Sequence, residues 1–175
     1  DVITFSSAMT ITLATSLSVD KDITIRGVGE GVTLNGGGAV KVIQIGTMVN
    51  DPLSPIVRLE KLKITGGNDT ENRVGGIDNY GSLTMVNCLV ADNADVGINA
   101  GTGAVGGILS NGTIYLVNCT ITENSGAGSD GGIGGVYCAG DFYTYNSILF
   151  GNSGEYENIA FVSISESYNS LFGES

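Results

Sequence analysis

One segment of this chain is written three times, and that repetition constrains the fold more than any other feature. GGIDNYGSLTMVNCLVADN runs from Gly75 to Asn93, GGILSNGTIYLVNCTITEN from Gly106 to Asn124, and GGVYCAGDFYTYNSILFGN from Gly134 to Asn152. In each copy the Gly-Gly pair is followed 12 residues later by an Asn (Asn87, Asn118, Asn146) and 18 residues later by another (Asn93, Asn124, Asn152). The copies align without gaps and start 31 and then 28 residues apart, so the variable length lies after the second Asn. A solenoid with one elastic loop per coil has this signature.

Alternation assigns the inward positions of each copy. Ile77, Ile108 and Val136 align, as do Leu83, Ile114 and Phe142, and Val90, Ile121 and Leu149. Stacked coil on coil, each set becomes an apolar column of the core. Turns this short cannot pair the strands of one copy with each other and keep the columns aligned, whereas parallel in-register stacking of successive copies does both. The sequence therefore predicts an all-β fold, a single parallel β-helix with short turns and variable loops on one side. The Asn87, Asn118 and Asn146 set and the Asn93, Asn124 and Asn152 set are expected at two corners, as structural ladders in which each amide bonds the next. Gly81, Gly112 and Gly140 are expected at a corner that needs positive φ.

The whole chain, 1–175, reads as one domain. Residues 1–46 contain six short apolar bursts (VITF, TITL, SLSV, DITI, GVTL, VIQI) and read as opening coils, with 1–20 as the candidate cap. MVNDPLSP, Met48 to Pro55, is a loop. Residues 56–153 hold the repeat coils, where KLKITGG (Lys61 to Gly67) aligns with NCLVADN as a degenerate earlier copy. In 154–175, YNSLFGES repeats YNSILFGNS and stops part-way round an incomplete last coil. The start at Asp1 falls mid-pattern, as in a mature product or an excised fragment, and the unfinished last coil implies more protein or a partner there.

Seven Lys plus Arg stand against 18 Asp plus Glu, with no His, for a net charge of −11. That balance repels phosphate backbones, so no nucleic acid is expected as a partner. The lack of His excludes imidazole-dependent triads and His-ligated zinc. No apolar run of 18 residues is present, so no membrane-spanning segment is expected. Hydrophobic residues make up 42% of the chain and recur in register, which argues against disorder.

The Gly-Gly-(Ile/Val) opening, the Asn corner and the phrase NCTITENS (Asn118 to Ser125) resemble the right-handed parallel β-helix repeats of bacterial surface proteins. These are the polymorphic outer-membrane protein family and autotransporter-like passengers. The opening DVITFSSAMTITLATSLSVDKDITIRGVGEGVTLNGGG is similar to the first segment of secreted β-helix proteins of that kind. The resemblance covers nearly the whole chain and implies a secreted or cell-surface location. It implies a structural or adhesion role, in a group that also includes carbohydrate-active enzymes.

Site readings follow from the repeat. Asp92, Asp95, Glu123 and Asp130 fall beside the variable loops and are the calcium candidates; no other cofactor is expected. As solvated loop acids they need no ligand, and of Arg26, Arg58 and Arg73 only Arg73 falls on their side, so enzyme activity is the less favoured reading and no catalytic residue is assigned. Outward positions are unusually apolar. Thr84, Tyr115 and Tyr143 align there, next to Val86, Val117 and Tyr145, with Leu89, Thr120 and Ile148, then Ala91, Thr122 and Phe150, on the adjacent strand. Ordinary β-propensity accounts for such residues. The functional reading is an interface of Tyr115, Tyr143, Tyr145, Val86, Val117 and Phe150 for self-association or another surface protein, with stacking on the sugars of a polysaccharide as a third use. Cys88 and Cys119 share one repeat position about 4.8 Å apart, close enough for a disulfide and equally suited to free core thiols, while Cys138 is expected buried and alone on another face.

Overall fold

The computed structural model describes residues 1–29, 31–47, 54–69, 73–96, 103–127, 131–161 and 166–173. Among them there are only strands, and no helix is long and apolar enough to cross a membrane. The strands follow one another in triplets. The first is β1 (Val2–Thr4), β2 (Thr10–Thr12) and β3 (Leu17–Val19), and the second β4 (Ile23–Arg26), β5 (Val32–Asn35) and β6 (Ile43–Ile45). β7 (Ile56–Glu60), β8 (Leu62–Thr65) and β9 (Ile77–Asn79) make the third. The repeat copies then give β10 (Ser82–Val86), β11 (Leu89–Ala91), a two-residue β12 (Ala94–Asp95) and β13 (Ile108–Ser110), followed by β14 (Thr113–Val117), β15 (Thr120–Thr122), β16 (Ser125–Gly126) and β17 (Val136–Cys138). β18 (Phe142–Tyr145), β19 (Ile148–Leu149) and β20 (Ile159–Phe161) come next, and β21 (Glu166–Tyr168) and β22 (Leu171–Phe172) last.

Each triplet gives one strand to each of three parallel sheets. The first sheet runs β1-β4-β7-β10-β14-β18-β21, the second β2-β5-β8-β11-β15-β19-β22, and the third β3-β6-β9-β13-β17-β20, with β12 and β16 pairing separately. This is an all-β stack of parallel strands, consistent with a β-helix. All six opening bursts became strands. The alignment of Lys61 to Gly67 with Asn87 to Asn93 also holds, because Lys63, Ile64 and Thr65 pair in register with Leu89, Val90 and Ala91.

The expected columns form the core. Leu83, Ile114 and Phe142 are in register and fully buried, as are Ile77, Ile108 and Val136, and Val90, Ile121 and Leu149. Burying one such side chain contributes about 1.5–3 kcal/mol, and in a stack each rung supplies the burial for the next.

Corners depart from expectation in two ways. Asn87, Asn118 and Asn146 do take the left-handed backbone, at φ 53°, 51° and 50°, and Lys61 and Asn169 continue the set at 52° and 46°. Their amides form no ladder, because at this bend the side chains point into solvent. Gly81, Gly112 and Gly140 are not in the positive-φ region. They are needed for close approach instead: a Cβ on Gly112 would strike the carbonyl oxygen of Gly81, and one on Gly140 that of Gly112.

The second Asn set is a true ladder. Asn93 Nδ2 donates to Asn124 Oδ1 (2.9 Å), Asn124 Nδ2 to Asn152 Oδ1 (2.8 Å), and Asn152 Nδ2 to Asn158 Oδ1 (2.9 Å). Below it, Asn93 Oδ1 accepts from the Gly67 amide at 2.9 Å. Asn158 has no place in the repeat alignment and joins the ladder from a different spacing. All four residues are buried. The positive φ at this corner belongs to the preceding residue, Gly66, Asp92, Glu123 or Gly151.

Candidate functional site

Three outer faces surround this core, and they differ in what they offer. The outside of the third sheet is covered. Val74, Val105 and Ile133 bridge from rung to rung and pack with Leu109, half-buried Tyr137 and Ala160 into a second small core. Beside it lies an ion pair that sequence reasoning missed. Lys41 Nζ donates to Asp78 Oδ2 at 3.0 Å and to Gln44 Oε1 at 2.6 Å, and both members of the pair are buried. Burial pushes the Asp78 carboxyl above its ordinary range despite the opposing charge of Lys41. The partners are 37 residues apart, and no short motif marks them.

The acids of the loop edge fall in different surroundings. Asp92 and Glu123 occupy exposed left-handed corner positions on successive rungs, and Asp92 lies 3.5 Å from Lys63 Nζ. Asp95 is fully buried, while Asp130 lies outside the described residues, as do residues 97–102 of the loop between Asn93 and Gly106. Among the described residues no three His, Cys, Asp or Glu side chains lie close enough to hold a metal ion.

Cysteine placement follows the repeat. Cys88 and Cys119 are buried free thiols on adjacent rungs, in a column that continues through Ser147, whose Oγ accepts from the Cys119 amide at 3.0 Å. A hydrogen bond with Cys119, then burial, pushes the Cys88 thiol far up. Cys138 is also buried and free, on another face as expected; its sulfur lies 3.5 Å from the Gly140 carbonyl oxygen, and its rung neighbour is Ser110.

The outside of the second sheet carries a groove of about 540 Å³ at the first corner, lined by Lys61, Lys63, Asn87, Asn118, Thr33 and Thr120 among others. Farther along, Ile148 (44%) and Phe150 (47%) are exposed. Ala91, expected outward with them, is buried, because its methyl is short and sits between Thr65 and Thr122 on the flanking rungs.

The first sheet presents the most ordered face. Arg58, Thr84, Tyr115, Tyr143 and Glu166 form one outward column, and Arg26, Glu60, Val86, Val117, Tyr145 and Tyr168 the next. Tyr115 and Tyr143 stack with ring centroids 4.6 Å apart and an 8° interplanar angle; Tyr145 and Tyr168 stack at 5.7 Å and 9°. These separations are close to the spacing of strands, so the rings lie face to face along the stack and present edges and hydroxyls outward. Tyr145 Oη donates to Glu166 Oε2 at 2.9 Å, and that bond pushes the phenol above its ordinary range. At the other end of the face Glu60 accepts from both Arg26 and Arg58, and the two guanidiniums hold its carboxyl below its ordinary range. Tyr168, which the repeat alignment paired with Tyr145 only as a sequence echo, extends this outer face and was left out by reasoning on three copies.

No family model, curated protein or solved structure matches this chain.

Proposed function

We propose that this chain is a right-handed single β-helix module of a secreted or cell-surface protein, structural or adhesive in role, that associates with copies of itself through its outer face or end rungs. The observation that carries the reading is the outer face of the first sheet. Its four tyrosines are already ordered in two stacked pairs, flanked by Val86 and Val117. Side chains held in place before contact lose little entropy on association, and tyrosine is enriched at interfaces. Stacking on sugar rings needs open ring faces, and each pair turns one face of each ring against its neighbour.

Sedimentation velocity over a range of protein concentrations, with and without calcium, tests the reading. A concentration-dependent oligomer that Tyr143→Glu abolishes is the expected result; a monomer at every concentration overturns it. A second reading, a carbohydrate-binding module, has its own observation in the groove of Lys61, Lys63, Asn87 and Asn118, whose ammonium and amide groups are suited to hydroxyl and carboxylate groups. Titration with acidic and neutral oligosaccharides, read by chemical-shift changes at those residues, decides it.

A further inference from the structure

Charge is distributed very unevenly along the stack. All seven Lys and Arg fall at or before Arg73, together with eight acids; beyond Arg73 there are ten acids and no cation. Because the strand triplets follow chain order, sequence position is height in the stack. One half is close to neutral, and the other carries nearly the whole net charge of −11.

The outer face of the first sheet repeats this polarity in its side chains. Seven strands cross it, with β10 in the middle. Before β10 come Arg26 and Arg58, which share the single carboxylate of Glu60 and so leave one positive charge. After β10 come Tyr115, Tyr143, Tyr145 and Tyr168 with Glu166. At β10 itself the outward residues Ser82, Thr84 and Val86 are all uncharged.

We infer that two copies of the chain pair through this face with their stack axes antiparallel, about a two-fold axis running along β10. This rests on the self-association reading above and fixes its geometry. The two-fold keeps each outward column opposite itself and reverses the order of strands. Arg58 then meets the partner copy's tyrosine at position 115, where its guanidinium donates to the phenol oxygen. Arg26 meets the pair formed by Tyr145 and Glu166, which supplies a carboxylate. Thr84 and Val86 meet their own counterparts. A self-complementary patch of this kind is what a two-fold dimer requires.

The alternative side-by-side arrangement, with axes parallel, would set the two acidic halves against each other and each cationic end against its like. Antiparallel packing separates the acidic halves as far as the stack allows, and complementary charges favour one register over others. Seven strands at about 4.8 Å and three to five residues of width give a strip of roughly 450 Å² per copy. That is at the small end of specific interfaces, where association is weak and reversible.

Spin labels attached on the second sheet, outside the pairing face, through Leu89→Cys or Ile148→Cys, one site per sample, test the orientation by pulsed dipolar distance measurement; the native thiols are buried and stay unlabelled. In the antiparallel dimer the labels at position 89, on the middle strand of that sheet, lie at one height. Those at position 148 are displaced by four strand spacings, about 19 Å along the axis. Short distances at both positions mean parallel packing, and long distances at both mean end-to-end assembly; either overturns the inference while leaving self-association standing. A monomer at all concentrations overturns both. Arg58→Glu, which leaves the tyrosines intact, is expected to raise the dimer dissociation constant at least tenfold; an unchanged constant counts against the pairing.

Discussion

Asn118 and Asn124 stand six residues apart in the same repeat and meet different demands. Asn118 is exposed, and for the fold it serves only the backbone, which is left-handed there. Asn118→Gly should change stability by a few tenths of a kcal/mol, whereas Asn118→Val, a β-branched residue in a left-handed conformation, should cost about 1–2 kcal/mol. Asn124 is buried, and its amide donates to the Val90 carbonyl at 3.0 Å and to Asn152, while its oxygen accepts from Asn93. Asn124→Ala leaves at least two of these groups without a partner at about 1–3 kcal/mol each, so a loss of about 3 kcal/mol is expected in urea denaturation. If Asn118→Gly costs as much as Asn124→Ala, the division of labour is wrong. The repeat marked both columns as corners. It could not separate an exposed bend from a buried ladder, because Asn suits either.

At the scale of elements, strand positions and inward columns were legible, since a period of two within strands and an ungapped repeat between them leave one consistent register. Glycine 81 and its counterparts were placed correctly but for the wrong cause: close packing of rungs, not φ, excludes a side chain there. The Lys41 and Asp78 pair was illegible, because it joins the loop before β6 to the outer side of β9. Asp78 is buried and its carboxyl holds a proton to higher pH in the folded state than in the unfolded chain, so its burial costs stability above its ordinary range and the cost falls away in acid. Removing the compensating charge by Lys41→Met raises that carboxyl further. A loss of about 3–5 kcal/mol is expected at neutral pH. It should shrink as pH falls toward 4 and Asp78 takes up a proton. Urea melts of both proteins across this range would show it; a loss independent of pH would mean that packing, not charge, is what Lys41 supplies.

For the whole molecule, the three thiols report on cooperativity. Cys88, Cys119 and Cys138 all belong to one continuous core that reaches from Val19 to Leu149. A bulky thiol reagent should therefore label all three in a single phase at the rate of global opening, and separate phases would show that rungs open one by one.

The ungapped repeat, read alone, determined the parallel stacking, the apolar columns and the tyrosine alignment, because register is a property of sequence spacing. Tertiary structure decided what spacing cannot express. It covered the third sheet with a second core, buried Asp95 and Ala91, joined Lys41 to Asp78 and turned the tyrosine rings face to face. Each of these depends on which surfaces the loops fold over and on how far side chains on successive rungs reach. Neither quantity repeats along the chain.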